Sequence, residues 1–151
     1  KRRNELDEAL KVLENIDRLQ LDFAKRATPF NNWMDGARED LMDMFIVHSL
    51  VEIEGLMEAH KVFEDTLGEA QTEFNTVVDM GNQIKQLGAQ YGLDAATENP
   101  YTALSVQDVT TKWSELTNLV PERERALKAE RAKQIAHEDL RVRFASKANI
   151  V

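Results

Sequence analysis

His48, His60 and His137 are the side chains of this 151-residue sequence best suited to hold a metal or shuttle a proton, and its 27 acidic residues offer paired carboxylates. A metal centre needs several such ligands at fixed spacing, and a general acid needs surroundings dry enough to raise its pKa. Neither pattern is present. No Glu-x-x-His of the bundle-type di-iron centre occurs, and no His-Glu-x-x-His. With no cysteine, a zinc site would have to be built from His and carboxylate alone. Asp79-Met80-Gly81-Asn82 lacks the later ligands and the closing glutamate of a calcium loop, and no glycine loop could cradle a phosphate. Glu52/Glu54 and Glu64/Asp65 are close in sequence but diverge around a helix, so they read as solvated surface. No catalytic residue, metal ligand or cofactor is therefore expected, and the chain reads as a non-enzyme. His60 reads as a packing or hydrogen-bonding residue at the edge of a helix bundle.

The elements carrying these residues follow from periodicity. Only 6 Gly and 3 Pro punctuate the chain, which favours a few long helices. From Leu6 through Leu10, Leu13, Ile16, Leu19, Phe23, Ala27, Phe30, Trp33, Ala37, Leu41 and Met44 the apolar steps are almost all three or four, the signature of one buried helical stripe. Pro29 interrupts the hydrogen bonding but not the phase, so a kink is expected there rather than a break. Ser49 with Glu52 forms a capping box that opens a second helix, with Ile53, Leu56, Phe63, Leu67, Ala70, Phe74, Val77, Ile84 and Leu87 inward. Gly92 and residues 94–100 make the next connection. Ser105 with Asp108 opens a third helix less strongly, with Val106, Val109, Trp113, Leu116, Val120, Leu127 and Ile135 as its stripe. Three amphipathic helices of about 40 residues with short connections pack most economically as an antiparallel, left-handed bundle, each helix ~60 Å long.

Charge is uneven. Residues 50–98 carry 10 acidic and 2 basic side chains, which equals the whole net charge of −8. Such a surface repels nucleic acid and anionic lipid and attracts basic partners. The Lys1-Arg2-Arg3 cluster reads as a helix end. No apolar run approaches the ~18 residues of a membrane span, so no membrane insertion is expected.

Phe23-Ala24-Lys25-Arg26-Ala27-Thr28 returns as Phe144-Ala145-Ser146-Lys147-Ala148-Asn149, 121 residues later, and at that offset Leu6 matches Leu127 and Leu19 matches Leu140. The offset makes residues 1–18 the end of a preceding unit's third helix. Residues 19–139 are then one repeat, with helices at about 19–44, 50–91 and 105–139, and residues 140–151 begin the next unit. Helices that cross unit boundaries build a stacked array, and this chain reads as a piece of a longer rod.

Trp33 and Trp113-x-x-Leu116 resemble the two tryptophan positions of spectrin repeats, and His60-x-x-Phe63 resembles their His-x-x-aromatic stretch. The segment Ala24-Lys25-Arg26-Ala27-Thr28-Pro29-Phe30-Asn31-Asn32-Trp33-Met34 is similar to the α-actinin family, as are Phe45-Ile46-Val47-His48, Asn99-Pro100-Tyr101-Thr102 and Leu119-Val120-Pro121. Their order resembles the third of the four spectrin-type repeats in the α-actinin rod. α-Spectrin repeats share parts of two of these motifs and are the nearest alternative. The resemblance implies a structural repeat of an actin-crosslinking protein that acts as semi-rigid spacer, antiparallel dimerisation element and adaptor-docking platform. It implies an antiparallel homodimer through the full rod, F-actin binding only through other domains, and a place on the cytoplasmic cytoskeleton at actin bundles, adhesion sites or muscle Z-discs. The alternative is a membrane-skeleton repeat of α-spectrin type, or mainly a peptide-docking module.

Phe23, Phe30, Trp33, Leu56, Phe63, Trp113 and Leu116 are the expected structural core, with Trp33 packed directly on Trp113. Glu52, Glu54 and Glu58 are the expected partner face.

Overall fold

Apolar side chains three and four residues apart give each long segment of this chain one sticky stripe, and three such stripes bury one another. The structure, a computed structural model, describes residues 2–92 and 99–149. Its elements are α1 (Arg2–Met42), α2 (Leu50–Asp65), α3 (Leu67–Gln90) and α4 (Val106–Asn149). α2 and α3 together form the second limb of a three-helix bundle. The Arg26–Glu73 and Trp33–Phe63 contacts run in opposite senses along α1 and the second limb, so these are antiparallel. Lys112–Asp35 and Arg38–Glu115 run in the same sense, so α1 and α4 are parallel.

The core joins Phe23, Ala27, Phe30, Met34, Ala37 and Leu41 of α1 to Ala70, Val77 and Ile84 of α3 and to Val109, Trp113, Leu116 and Val120 of α4. α1 passes through Pro29, and α4 through Pro121, without interruption. Burial begins on α1 at Ile16 and ends on α4 at Gln134. Beyond those points both helices continue with exposed apolar residues: Leu6, Leu10 and Leu13 at one end, and Ile135, Leu140, Val142 and Phe144 at the other.

The boundaries differ from expectation in instructive ways. α1 stops at Met42 rather than Met44, because residues 43–47 leave the helix and are tied to α4 instead. The second limb is not one uninterrupted helix. At Thr66 the dihedrals stay right-handed (φ −83°, ψ −13°), but the Thr66 N–H and hydroxyl both donate to the Phe63 carbonyl, at 3.0 and 2.6 Å. One turn tightens while the chain keeps its direction, as threonine back-bonding favours. α3 ends at Gln90, and Gly92 follows at φ +67°, the left-handed conformation in which only glycine avoids a steric penalty. The expected second loop at 94–100 lies mostly outside the described residues.

Both start signals are real caps, with their ranking reversed. Ser105 Oγ accepts from Asp108 N–H and Asp108 Oδ2 accepts from Ser105 N–H, each at 3.1 Å, a full reciprocal box. Ser49 Oγ accepts from Glu52 N–H at 3.2 Å, but Glu52 Oε2 reaches one residue further back, to His48 N–H at 3.1 Å.

Three of the expected core residues move. Trp33 is 37% exposed and the stripe passes instead through its neighbour Met34, which is 1% exposed. Adjacent residues point about 100° apart on a helix, so Trp33 and Met34 do not both face the bundle axis, and the unbranched methionine takes the narrow inner position. Trp33 does not touch Trp113; Phe30 stands between them, with centroids 5.9 Å from each ring. Trp113 stacks on Phe74 at 5.2 Å. On α2 the fully inward residues are Ile53 and His60, which leaves Leu56 and Phe63 only half-buried at the flank. Leu6, Leu10, Leu13, Met44 and Ile135, expected in the stripes, are exposed.

Candidate interaction surfaces

Four features of the surface offer binding rather than chemistry. Among the described residues no group of three His, Cys, Asp or Glu side chains lies close enough to hold a metal ion. No described helix is long and apolar enough to cross a membrane.

The first feature is the pair of helix extensions. Leu6 is 64% exposed, yet Leu127, its counterpart at the 121-residue offset, is 1% exposed in the core. Phe144 is 78% exposed, while its counterpart Phe23 is 3% exposed. The same stripe is thus covered where this unit folds over it and bare where it projects.

The second is the pair of connections, each pinned to a neighbouring helix. Asn99 Nδ2 donates to Gln20 O on α1 at 3.0 Å, while its Oδ1 accepts from Tyr101 N–H at 2.8 Å, an Asx-type turn. The Tyr101 hydroxyl donates to Asp17 Oδ1 at 2.8 Å. That hydrogen bond to a carboxylate holds the phenolic proton and raises the Tyr101 pKa above the ordinary 10.0, with slight desolvation and the Asp17 charge adding to it. At the other end Arg123 donates to the Asp43 carbonyl and lies over the Phe45 ring, 4.9 Å from its centroid, and Gln134 donates to Val47 O at 3.2 Å. Sequence reasoning took Asn99-Pro100-Tyr101-Thr102 and Phe45–His48 as family motifs in or beside the connections, with no contacts assigned to them. Their structural role is to clamp the two connections to continuing helices.

The third is the acidic face. Glu52, Glu54 and Glu58 are exposed but differently occupied. Glu52 is committed to the α2 cap, and Glu54 pairs with Arg131 of α4 at 3.6 Å. Glu54 and Glu58 line a groove of about 480 Å³ between α2 and α4, with Met57, Lys61, Glu64 and Leu127. His60 reaches this groove from the core side. Its side chain is 6% exposed, and its Nε2 sits 3.0 Å from Glu64 Oε1 without making a hydrogen bond.

The fourth is the junction of α1 with α2. The second half of α1 packs on α4 and α2 packs on α4, but no Cα of α1 lies within 8 Å of one in α2. The gap is bridged by the stacked rings of Trp33 and Phe63, 6.0 Å apart. Beside them lies a cleft of about 240 Å³ walled by Ala37, Asp40 and Leu41 of α1, Leu56, Ala59 and Phe63 of α2, and Arg123.

The spectrin-repeat family model matches residues 18–129. The chain belongs to the spectrin-repeat family. That span agrees with the burial pattern, which among the described side chains begins at Ile16 and leaves α4 uncovered from Ile135 to Ala145. Across all 151 residues this spectrin repeat is 53% identical to a sarcomeric alpha-actinin of Drosophila melanogaster and 49% identical to an alpha-actinin of Dermatophagoides farinae. It is 44% identical to alpha-actinin-1 of Homo sapiens. In each case the whole of this chain is covered, but only 16% or 17% of the relative.

Proposed function

We propose that this spectrin repeat is one unit of the rod of an α-actinin-like actin-crosslinking protein. It serves as a semi-rigid spacer, contributes to an antiparallel homodimer through the full rod, and offers side surfaces to adhesion or cytoskeletal adaptor proteins. Actin binding belongs to other domains of such a protein, the repeat itself does no catalysis, and the place of action is the cytoplasmic cytoskeleton. Residues 1–18 then belong to the preceding unit's third helix, residues 19–139 form the repeat, and residues 140–151 open the next.

The observation that carries this reading is helix continuity. Among the described side chains the first buried one on α1 is Ile16, about fourteen residues into the helix, and the last on α4 is Gln134, about fifteen before its end, with no turn residue at either boundary. A neighbouring unit folded over Leu6 and Phe144, as this unit folds over Leu127 and Phe23, would bury both stripes in one continuous helix. A helix that is shared between two cores resists bending in a way that a flexible linker does not.

A tandem protein made of residues 1–139 followed directly by residues 19–151, the join that the 121-residue offset prescribes, tests the reading. Amide hydrogen exchange is expected to be fast over residues 135–149 of the single chain and strongly slowed across the matching seam of the tandem. Equal exchange in the two proteins would refute the stacked-unit reading.

A further inference from the structure

Away from the two helix extensions, most of the exposed large apolar residues gather in one half of the molecule, with Tyr91 and Tyr101 as the exceptions at the other end. Trp33, Met42, Met44, Ile46, Val51 and Val62 all lie on the second half of α1, on the connection after it, or on α2. This is the half of the bundle in which α1 and α2 fail to approach each other. A surface of that kind, with half-buried aromatics for a floor, is what protein-binding faces present, and monomeric surfaces otherwise avoid it.

The charges around it are mostly acidic, with Arg123 as the basic side chain in the cleft wall. Between residues 33 and 66 the only basic side chains are Arg38 and Lys61. Arg38 is turned to Glu115 of α4 at 3.7 Å, and Lys61 lines the groove on the α4 side of α2. Arg123, at the end of the cleft, is held by the Asp43 carbonyl and the Phe45 ring. Glu39, Asp40, Asp43 and Asp65 are exposed and form no ion pair with another described residue. The walls are also low: a Cβ added at Gly36 or Gly55 meets nothing within 4 Å, and Ala59 is exposed. A third backbone can therefore come close.

We propose that the open α1/α2 face receives an amphipathic helix from a partner protein, its apolar stripe laid on Trp33, Leu56, Ala59 and Phe63 and its flanks bearing lysine or arginine. The geometry completes locally what the second limb leaves open, with the added helix packing into the groove between two splayed ones as a fourth member of the bundle. The apolar floor supplies affinity, and the acidic surround supplies orientation and rejects acidic segments. This inference gives the docking part of the proposed function a site and a partner class, and rests on it.

The test uses the 151-residue chain and a Leu/Lys peptide about five helical turns long, with leucines at the spacing of one face. Two controls accompany it: a scrambled peptide of the same composition, and a Leu/Glu peptide with the same spacing. Trp113→Phe leaves Trp33, at the wall of the cleft, as the sole fluorophore. Saturable binding of the Leu/Lys helix is expected, with a blue shift of the Trp33 emission and weakening at high salt. Ala59→Arg and Gly36→Arg, both at open surface positions and checked for a melting curve no lower than the parent's, should each weaken binding about tenfold or more, as loss of a central interface contact does. Equal binding of the scrambled or the Leu/Glu peptide, or full affinity in both arginine variants, would overturn the inference. So would a dimer of the chain that Ala59→Arg dissociates, because a second copy would then be the occupant. A tandem whose seam is protected from exchange while no peptide binds would overturn the docking site and leave the spacer role standing.

Discussion

The two halves of this bundle are built from the same kind of stripe and end up packed to different standards. In the half where α3 lies between α1 and α4, backbone approaches are tight. A Cβ at Gly81 would sit 2.1 Å from Val106 Cγ2 and 3.3 Å from Phe23 Cε2, and Trp113 is sandwiched by Phe30 and Phe74. In the half containing α2, α1 and α2 stand apart and aromatic rings rather than backbones span the distance. The tightened turn at Thr66 lies where one regime gives way to the other. A rod unit has to hold its length through one firm core, but it does not need every groove closed, and a groove left open is available to partners.

Substitution of the tryptophans should separate the halves most widely. Trp113→Ala is expected to cost ~3–5 kcal/mol, the range for emptying an aromatic site in a close-packed core. Trp33→Ala, removing a ring already more than a third exposed, should cost roughly 1–2 kcal/mol. Urea denaturation of both variants measures this, and equal losses would break the comparison. The glycines give the next contrast. Gly81→Ala forces an overlap with a short branched side chain, so it should lose about 1–3 kcal/mol even against the ~1 kcal/mol gain in helix propensity. Gly36→Ala, with open space around its Cβ, should instead gain about 0.5–1 kcal/mol. Melting curves shifted in the same direction for both would contradict the packing difference.

Smaller effects sharpen the ends of the comparison. Ser105→Ala removes the oxygen of a reciprocal box and should cost ~1 kcal/mol or slightly more, while Ser49→Ala should cost no more than that. Tyr101→Phe tests the clamp of the second connection on α1. Because the folded-state pKa of Tyr101 is raised, its contribution is fully present below the ordinary tyrosine value of 10.0 and is lost as pH climbs through the higher folded value. The stability difference between the parent chain and Tyr101→Phe should therefore shrink above pH 10, and a constant difference across that window would count against the Asp17 hydrogen bond.

Much of this was legible from residues alone, and the failures have physical causes. The stripes placed all three limbs, and the two serine boxes placed the helix starts, because caps and periodicity are local. The stripe read Leu6, Leu10 and Leu13 as buried, because periodicity alone does not tell whether a second limb covers a helix, and they are exposed. Trp33 was misassigned because Trp33 and Met34 are adjacent apolar residues, and periodicity at steps of three or four admits either. Glu52, Glu54 and Glu58 read as one face, but capping and the Arg131 pair divide them, since a partner from another limb leaves no trace in local spacing. The Asn99–Gln20 and Tyr101–Asp17 bonds join residues some eighty positions apart, and the gap between α1 and α2 is a property of two limbs together. No single segment encodes either.

The central claim is that α1 and α4 run through unit boundaries as rigid helices, and small-angle scattering of the tandem tests it most directly. Glu138, the counterpart of Asp17 at the 121-residue offset, stands at the seam. A straight rod is expected for the tandem, with a shorter and broader distribution of dimensions after Glu138→Pro, because proline breaks the shared helix while each unit stays folded. A tandem that already scatters as two freely jointed bodies, or one whose profile the proline leaves unchanged, would contradict the account.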